Sequence, residues 1–404
     1  MDITTMFSEK VSQLEGSAIR EMFKLMAKPG MISFAGGSPD SALFPNNELS
    51  EIAAEILRDH GAEALQYGIT EGYTPLRNWV VDRLTSQGID CCFDNTIIVS
   101  GGQQGIDLAA KSLLNAGDGV ICEEPSFIGG LNCFKSYNAE IYGVEVKDDG
   151  IDTEALEEVL KTHDNIKVLY TIATFQNPSG ITMSLEKRKK VLELAEKYNF
   201  VIFEDNPYGE LRFSGQPVPT IKSLDKCGRV VYFGSFSKIL SPGLRIGFTT
   251  APQELINKMV ICKQVQDVHT PVITQMIAYE FFTRYSIEEH IAKIRAAYGE
   301  KCDLMMSLMD ELFPECVSHT RPEGGMFLFC TMPDGIDSKE LLKAAIDKNV
   351  AFVPGATTMI NTDKIYSSFR MNYSMASKEQ IKQGITILAD VLNEAVKIFK
   401  NENA

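Results

Sequence analysis

Lys238 closes the run Ser235-Phe236-Ser237-Lys238, which follows four β-branched or aromatic residues, Val230 to Phe233. That apolar run reads as a buried strand stopping at Gly234, so the lysine stands at a strand end on a hydroxyl-bearing turn. Pro242-Gly243 forces a second turn, and a short strand is expected from about Leu244, with Arg245 at its start. Ser235, Ser237 and Arg245 carry donors that match phosphate oxygens. An amine beside a phosphate site points to an aldehyde cofactor with its own anchor, and pyridoxal 5′-phosphate needs both. The tetrapeptide alone is weak support, since most lysines are solvated surface charges.

Other residues have types that fit the same chemistry. Ser100-Gly101-Gly102-Gln103-Gln104-Gly105 joins the strand 96–99 to a helix expected over 106–114; a glycine turn at a helix N-terminus aims free N–H groups at an anion. Its spacing departs from the dinucleotide pattern G-x-G-x-x-G. Asp205, after Val-Ile-Phe-Glu, is a carboxylate at the end of an apolar strand; it either pairs a pyridine nitrogen or caps the turn before Asn206-Pro207. Asn177 and Tyr208 can hydrogen-bond a phenolic oxygen, and Phe127 offers a face for stacking. Arg370, within Ser-Phe-Arg-Met-Asn-Tyr, is costly to bury unpaired, so it meets either a carboxylate ligand or an internal acid. Tyr67 stands among glycines, and Gly36-Gly37 either lets backbone approach a ligand or makes a turn. Arg20 projects beside the stripe Ile19, Met22, Phe23 and Met26 of a short helix expected over 18–28.

These residues must be held by elements, and the chain supplies them in alternation. Helices are expected over 48–59 and 74–86, then strands and helices at 96–99, 106–114, 119–122, 141–146, 153–161, 166–172, 185–198, 200–203 and 229–233. Continuous apolar strands alternating with helices imply an α/β fold with a mostly parallel sheet sandwiched by helices. Ligands gather at the carboxyl ends of such strands, where nearly all the residues named above fall. After 251 come helices over 252–266 and 272–300, with a break near Arg284, then strands near 325–331, 350–353 and 367–373 and helices over 338–348 and 377–400. The expected organisation is an N-terminal segment, 1–50, packing with a small α+β domain, 291–404, beside a large cofactor-binding domain, 51–290.

Composition narrows the partners. The 404 residues, 44% of them hydrophobic, can bury a large core. With 39 Lys and Arg against 54 Asp and Glu, the net charge of −15 repels nucleic acid and anionic membrane. No apolar stretch is long enough for a signal peptide or a membrane span, so the cytoplasm is the expected location. The nine cysteines include no C-x-x-C and read as reduced, and the histidines lack metal-ligand spacing, so no metal is expected.

Taken together, Ser-Gly-Gly-Gln-Gln, Asn-Pro-Ser-Gly, Glu-Asp-Asn-Pro-Tyr, Ser-Phe-Ser-Lys with Gly-Leu-Arg-Ile-Gly, and Phe-Arg-Met-Asn-Tyr occur in one order. In this the chain resembles the fold-type I pyridoxal-phosphate aminotransferases of class I/II, from about Ser17 to Arg370 or beyond. Ser-Ala-Ile-Arg-Glu and Phe-Ala-Gly-Gly-Ser-Pro look like the branch of 2-aminoadipate, kynurenine and broad-range aromatic aminotransferases. The resemblance implies a ping-pong transfer of an amino group between an L-amino acid and a 2-oxo acid, 2-oxoglutarate foremost. It implies that Lys238 bonds the cofactor aldehyde and shuttles the proton. It implies that Gly101, Gly102, Gln103, Ser235, Ser237 and Arg245 hold the phosphate, joined by Tyr67 from the neighbouring subunit of a homodimer. Phe127 then stacks on the ring, Asp205 pairs its nitrogen, Asn177 and Tyr208 bind its phenolic oxygen, and Arg370 clamps the substrate α-carboxylate. Gly37, Asn177 and Arg20 join the substrate side, Arg20 as a mobile cation that meets a distal carboxylate and withdraws from an apolar side chain. Two departures stand out: Gly102 offers only backbone where many relatives have a hydroxyl or small donor, and Phe127 replaces a frequent tyrosine. Fold does not fix reaction, so a lyase such as a carbon–sulfur lyase stays as an alternative. A regulator fused to a DNA-binding domain fits poorly, because only about 30 residues precede the Gly-Gly segment.

Overall fold

The computed structural model describes residues 3–8, 10 and 30–402. The helix expected over 18–28, and Arg20 with it, lie outside the described residues.

The chain enters through β1 (Ile32–Ser33), which runs parallel to β12 (Val350–Ala351). The central sheet comprises β2 (Thr96–Val99), β3 (Gly119–Glu124), β4 (Glu140–Lys147), β5 (Gly150–Ile151), β6 (Ile166–Thr171), β7 (Val201–Asp205), β8 (Val230–Ser235) and β9 (Gly247–Thr250). Their spatial order is β2-β9-β8-β7-β6-β3-β4-β5. β4, β3, β6, β7 and β8 are mutually parallel, as continuous apolar strands require, and β9 is reversed between β8 and β2. β9 starts at Gly247, three residues later than the strand expected from Leu244. The reason is local: Pro242–Leu244 forms a 3₁₀ turn and Arg245 ends it at φ 55°, a left-handed conformation that cannot continue into a strand.

Helices cover the sheet with conventional end signals. Ser184 caps helix Leu185–Tyr198 by accepting from the Lys187 N–H, and Asn199 closes it in the left-handed conformation. The break near Arg284 is real: Tyr285 is extended, and Ser286 caps a new helix, Ile287–Leu312, through the Glu289 N–H. Helix Gly102–Leu113 starts four residues before the expected 106. Its Gly105 is needed where the helix meets the sheet, since a Cβ there would lie 2.5 Å from Thr249 Oγ1 and 3.0 Å from the Phe233 ring. Helix Ile128–Lys135 was not expected at all, because Gly129-Gly130 argues against helix by propensity. Both glycines serve packing: a Cβ would meet the Phe127 ring at 2.5 Å or the Tyr170 ring at 2.8 Å.

A second sheet has the order β10 (Ser318–His319), β11 (Phe327–Thr331), β14 (Ser368–Asn372), β13 (Val353–Pro354), all antiparallel. Helices Ile287–Leu312, Ser338–Asp347 and Lys378–Glu402 complete this part. The segment after β1 is stitched to it: Phe34 N–H donates to the Ala351 carbonyl and Asn372 N–H to the Phe34 carbonyl. Lys301 Nζ donates to Asp40 Oδ2 (2.7 Å) and to the Ser374 carbonyl (2.7 Å), which fixes the far end of the segment. Among the described residues no helix is long and apolar enough to cross a membrane.

Candidate active site

Asp205 is the last residue of β7, and the strand's alternation sends it to the same face as Phe203. There the Tyr170 hydroxyl donates to Asp205 Oδ2 at 2.8 Å, and among the described residues no lysine or arginine stands within ion-pairing distance of the carboxylate. Burial therefore pushes its pKa up to about 7; the Tyr170 bond works against the shift and the Glu123 charge adds to it. A buried carboxyl with one neutral donor is an incomplete structure, and a protonated ring nitrogen would complete it.

Arg370 occupies an inner strand of the small sheet, opposite Phe329 and Val353. It is buried, with its guanidinium 4.3 Å from the Phe327 ring centroid, and it donates to Asn177 Oδ1 (2.9 Å) and to the Ala35 carbonyl (2.7 Å). Its Nε has no partner, and no Asp or Glu among the described residues pairs with it. Burial pulls its pKa down to about 10. Among the described residues no internal acid closes this arginine, and a carboxylate ligand would match the free donor.

Lys238 reaches from the loop after β8 to the Gly37 carbonyl, to which its Nζ donates at 2.7 Å. Burial first, then the positive charges of Arg370 and Arg245, lower its pKa to about 8. An amine so lowered is partly neutral near pH 7, as nucleophilic attack on an aldehyde requires. Gly37 offers its carbonyl, and a Cβ there would meet only Phe327 at 3.8 Å, so steric need does not explain the glycine. Asn177 Nδ2 lies 3.3 Å from the Tyr208 hydroxyl, which links Tyr208 to Arg370 through one side chain.

The phosphate-binding candidates also converge. Ser235 Oγ donates to Ser237 Oγ (3.0 Å) and accepts from the Ser237 N–H (3.2 Å). Arg245 Nη2 donates to the Ser100 carbonyl at 3.1 Å and lies over Gly101. At Gly101 (φ 85°) a Cβ would stand 2.3 Å from Arg245 Nη2, so only glycine lets the guanidinium lie against the turn. Helix Gly102–Leu113 starts at that point and contributes the free N–H groups of its first turn. The donor set fits a phosphate monoester. Gln103 donates its side-chain Nε2 to the Gly129 carbonyl (3.0 Å), beside Phe127, which ends the turn before helix Ile128–Lys135. Tyr67 stands apart from all of these within one chain: it is 80% exposed, its ring meets that of His269 edge-on at 5.8 Å, and its N–H donates to Gln66 Oε1.

Some residues that shape the site were not legible beforehand. Tyr170 holds Asp205, and Gln176 braces the Asn177 turn by accepting from the Ser179 N–H (2.8 Å) and donating to the Pro125 carbonyl (2.7 Å). Tyr170 reads as strand filler, and only Gln176's position beside Asn177 hinted at a role.

Residues 31–388 match the family model described as aminotransferase class I and II. The aromatic-amino-acid aminotransferase 1 of Thermococcus litoralis is 41% identical over 405 residues, covering 98% of this chain and 96% of that protein. The kynurenine aminotransferase of Pyrococcus horikoshii, solved in complex with PMP, superimposes with a TM-score of 0.93 at 41% identity, over 97% of this chain and 98% of its own. The alpha-aminoadipate aminotransferase of Thermus thermophilus, complexed with N-(5′-phosphopyridoxyl)-L-leucine, gives 0.91 at 35%, over 98% and 100%. The chain belongs to the class I and II aminotransferases, and it is a transaminase that uses pyridoxal 5′-phosphate to move an amino group between an amino acid and a 2-oxo acid.

Proposed function

We propose that Lys238, Asp205 and Arg370 carry this transfer, with 2-oxoglutarate as the amino acceptor. The carrying observation is that, among the described residues, a buried carboxyl without a counter-charge and a buried guanidinium with a free Nε both act on Tyr208, and that the same guanidinium helps to lower the pKa of Lys238 to about 8. When bound, the cofactor supplies an aldehyde that accepts the amino group and a ring that delocalises the electron pair left when Cα–H breaks. Lys238 would hold the cofactor through its aldehyde, and its Nζ, lowered toward neutrality, would be the group that moves the Cα proton. Asp205 keeps the ring nitrogen protonated. Asn177 and Tyr208 would hydrogen-bond the cofactor's phenolic oxygen, and Phe127 would lie against its ring. Ser235, Ser237, Arg245, the Gly101-Gly102 turn and Gln103 hold the phosphate. Arg370 clamps the α-carboxylate of each substrate through its fork, with Gly37 and Asn177 beside it.

The active unit in this reading is a cytoplasmic homodimer that places Tyr67 against its partner's phosphate. Leu65, Tyr67, Ile69 and Val268 are exposed on segments that touch one another where Gly68 packs on Val272, an apolar surface suited to a second copy. The chain is divided as 1–50 with 291–404 on one side and 51–290 on the other. Amino acids screened against 2-oxoglutarate and pyruvate test the acceptor. Glutamate formed in step with donor consumption is expected, and a tenfold preference for pyruvate would overturn the assignment. Sedimentation of the purified protein tests the dimer.

A further inference from the structure

Directly behind the phosphate-binding turn lies a polar cluster to which none of the roles above assigns a purpose. Lys263, on helix Gln253–Gln266, is fully buried. Its Nζ donates to both oxygens of Asp267 (2.9 and 3.0 Å) and to Gln104 Oε1 (2.8 Å). Asp267 also accepts from Gln104 Nε2 (2.7 Å) and Ser100 Oγ (2.9 Å). Gln104 Oε1 in turn accepts from the Ser100 N–H at 2.7 Å, and Thr270 Oγ1 lies 3.1 Å from Ser100 Oγ. Ser100 is thus held at its amide and its hydroxyl, while its carbonyl accepts from Arg245.

A buried ammonium costs several kcal/mol in desolvation, and an apolar trio of the same shape would pack the two helices as well. Two of its bonds, from the Ser100 N–H to Gln104 and from the Ser100 hydroxyl to Asp267, end on the residue that opens the glycine turn. We propose that Lys263, with Asp267 and Gln104, is a positioning cluster that orients the Ser100–Gly102 turn and, through the Ser100 carbonyl, the Arg245 guanidinium, and so sets how tightly the phosphate is held. The inference rests on the phosphate-binding reading given above. The ammonium is neutralised by Asp267, so the cluster works by geometry: donors give full strength to a phosphate only when their directions are fixed beforehand.

The test uses cofactor-stripped full-length protein titrated with pyridoxal 5′-phosphate and with pyridoxal, which has the same aldehyde and ring without the phosphate. The ratio of the two Kd values isolates phosphate recognition from everything else in the cleft. Lys263→Met is expected to weaken pyridoxal 5′-phosphate by about tenfold or more and pyridoxal by less than about threefold, the scale on which outer supporting groups act. An unchanged ratio, or equal weakening of both ligands, overturns the proposal and leaves the cluster a packing device. No phosphate preference in the wild type would instead remove the phosphate-binding reading, and this inference with it. Asp267→Asn covers the case in which Lys263→Met fails to fold, and its sign decides. Weaker phosphate recognition supports positioning, whereas tighter recognition, from an added uncompensated cation, overturns it.

Discussion

Two acidic residues follow each other on β7 and have opposite fates. Glu204 points to one face of the sheet, where the Ile221 and Lys222 N–H groups donate to it (2.8 and 2.7 Å) and Arg188 lies 3.9 Å away. Arg188 is itself closed, donating to the carbonyls of Met183 (2.9 Å), Ala173 (2.7 Å) and Pro219 (3.0 Å) and to Thr174 Oγ1 (2.9 Å). Asp205 and Arg370, also buried, are left open among the described residues: one has a single tyrosine hydroxyl, the other an idle Nε. Burial of charge alone therefore does not mark a functional group. In the proposed reading Asp205 and Arg370 stand out by burial with the bonding left unfinished, since an unfinished buried group is destabilising unless a ligand completes it.

Perturbing the open set should alter chemistry more than stability, and perturbing the closed set the reverse. Lys238→Ala should reduce amino transfer by about 10³-fold or more, since nucleophile and proton carrier are lost together; steady-state turnover near wild type would end the assignment. Arg188→Met should lower unfolding free energy by about 3–5 kcal/mol, the usual result of removing one partner from a buried pair, with the bound-cofactor spectrum unchanged. Arg370→Met should cost little stability yet raise KM for every amino and oxo acid, by about 1.5–3 kcal/mol or roughly 10- to 100-fold for a lost charge-assisted bond. Urea titrations and substrate kinetics on this arginine pair read both halves of the contrast.

Asp205 also makes a pH statement. Its folded pKa of about 7 lies above the unfolded value near 4, so its contribution to stability is full below pH 4 and lost as pH rises through 7. In cofactor-free protein the stability difference between wild type and Asp205→Asn should therefore shift against the wild type from pH 5 to pH 8, as urea midpoints would show. Parallel curves would mean that the carboxyl is ionised without a ring nitrogen. The smallest effect is expected at Arg20: Arg20→Ala should raise KM for 2-oxoglutarate and glutamate about tenfold but for leucine or phenylalanine less than about threefold. Equal losses on both classes would remove Arg20 from recognition of the distal carboxylate.

The open groups were the legible ones. Lys238, Asp205 and Arg370 are charged residues at the end of, or inside, apolar strands, a local conflict that shows in a sequence without any knowledge of contacts. Their supports were not legible, because what distinguishes them is a partner far along the chain. Tyr170 is one more aromatic in Val-Leu-Tyr-Thr until Asp205 arrives 35 residues later. Lys263 has the look of a solvated helix lysine, yet it is completely buried with its Nζ on Asp267 and Gln104. Helix Ile128–Lys135 escaped for a related reason, since its glycines answer the Phe127 and Tyr170 rings rather than their own helix propensity.

The reversed strand has a metrical consequence. β8 and β9 are antiparallel neighbours, with Ser235 registered opposite Gly247, so the chain turns back through residues 236–246 instead of crossing the sheet under a helix. Lys238 and Arg245 both sit on that short return. The ladder clamps both of its ends, and the span between an amine and a guanidinium becomes a caliper whose opening is set by chain length. One residue added or removed there would change the measured gap, whereas the same change in an exposed connection, such as the one around Gly215, would measure nothing.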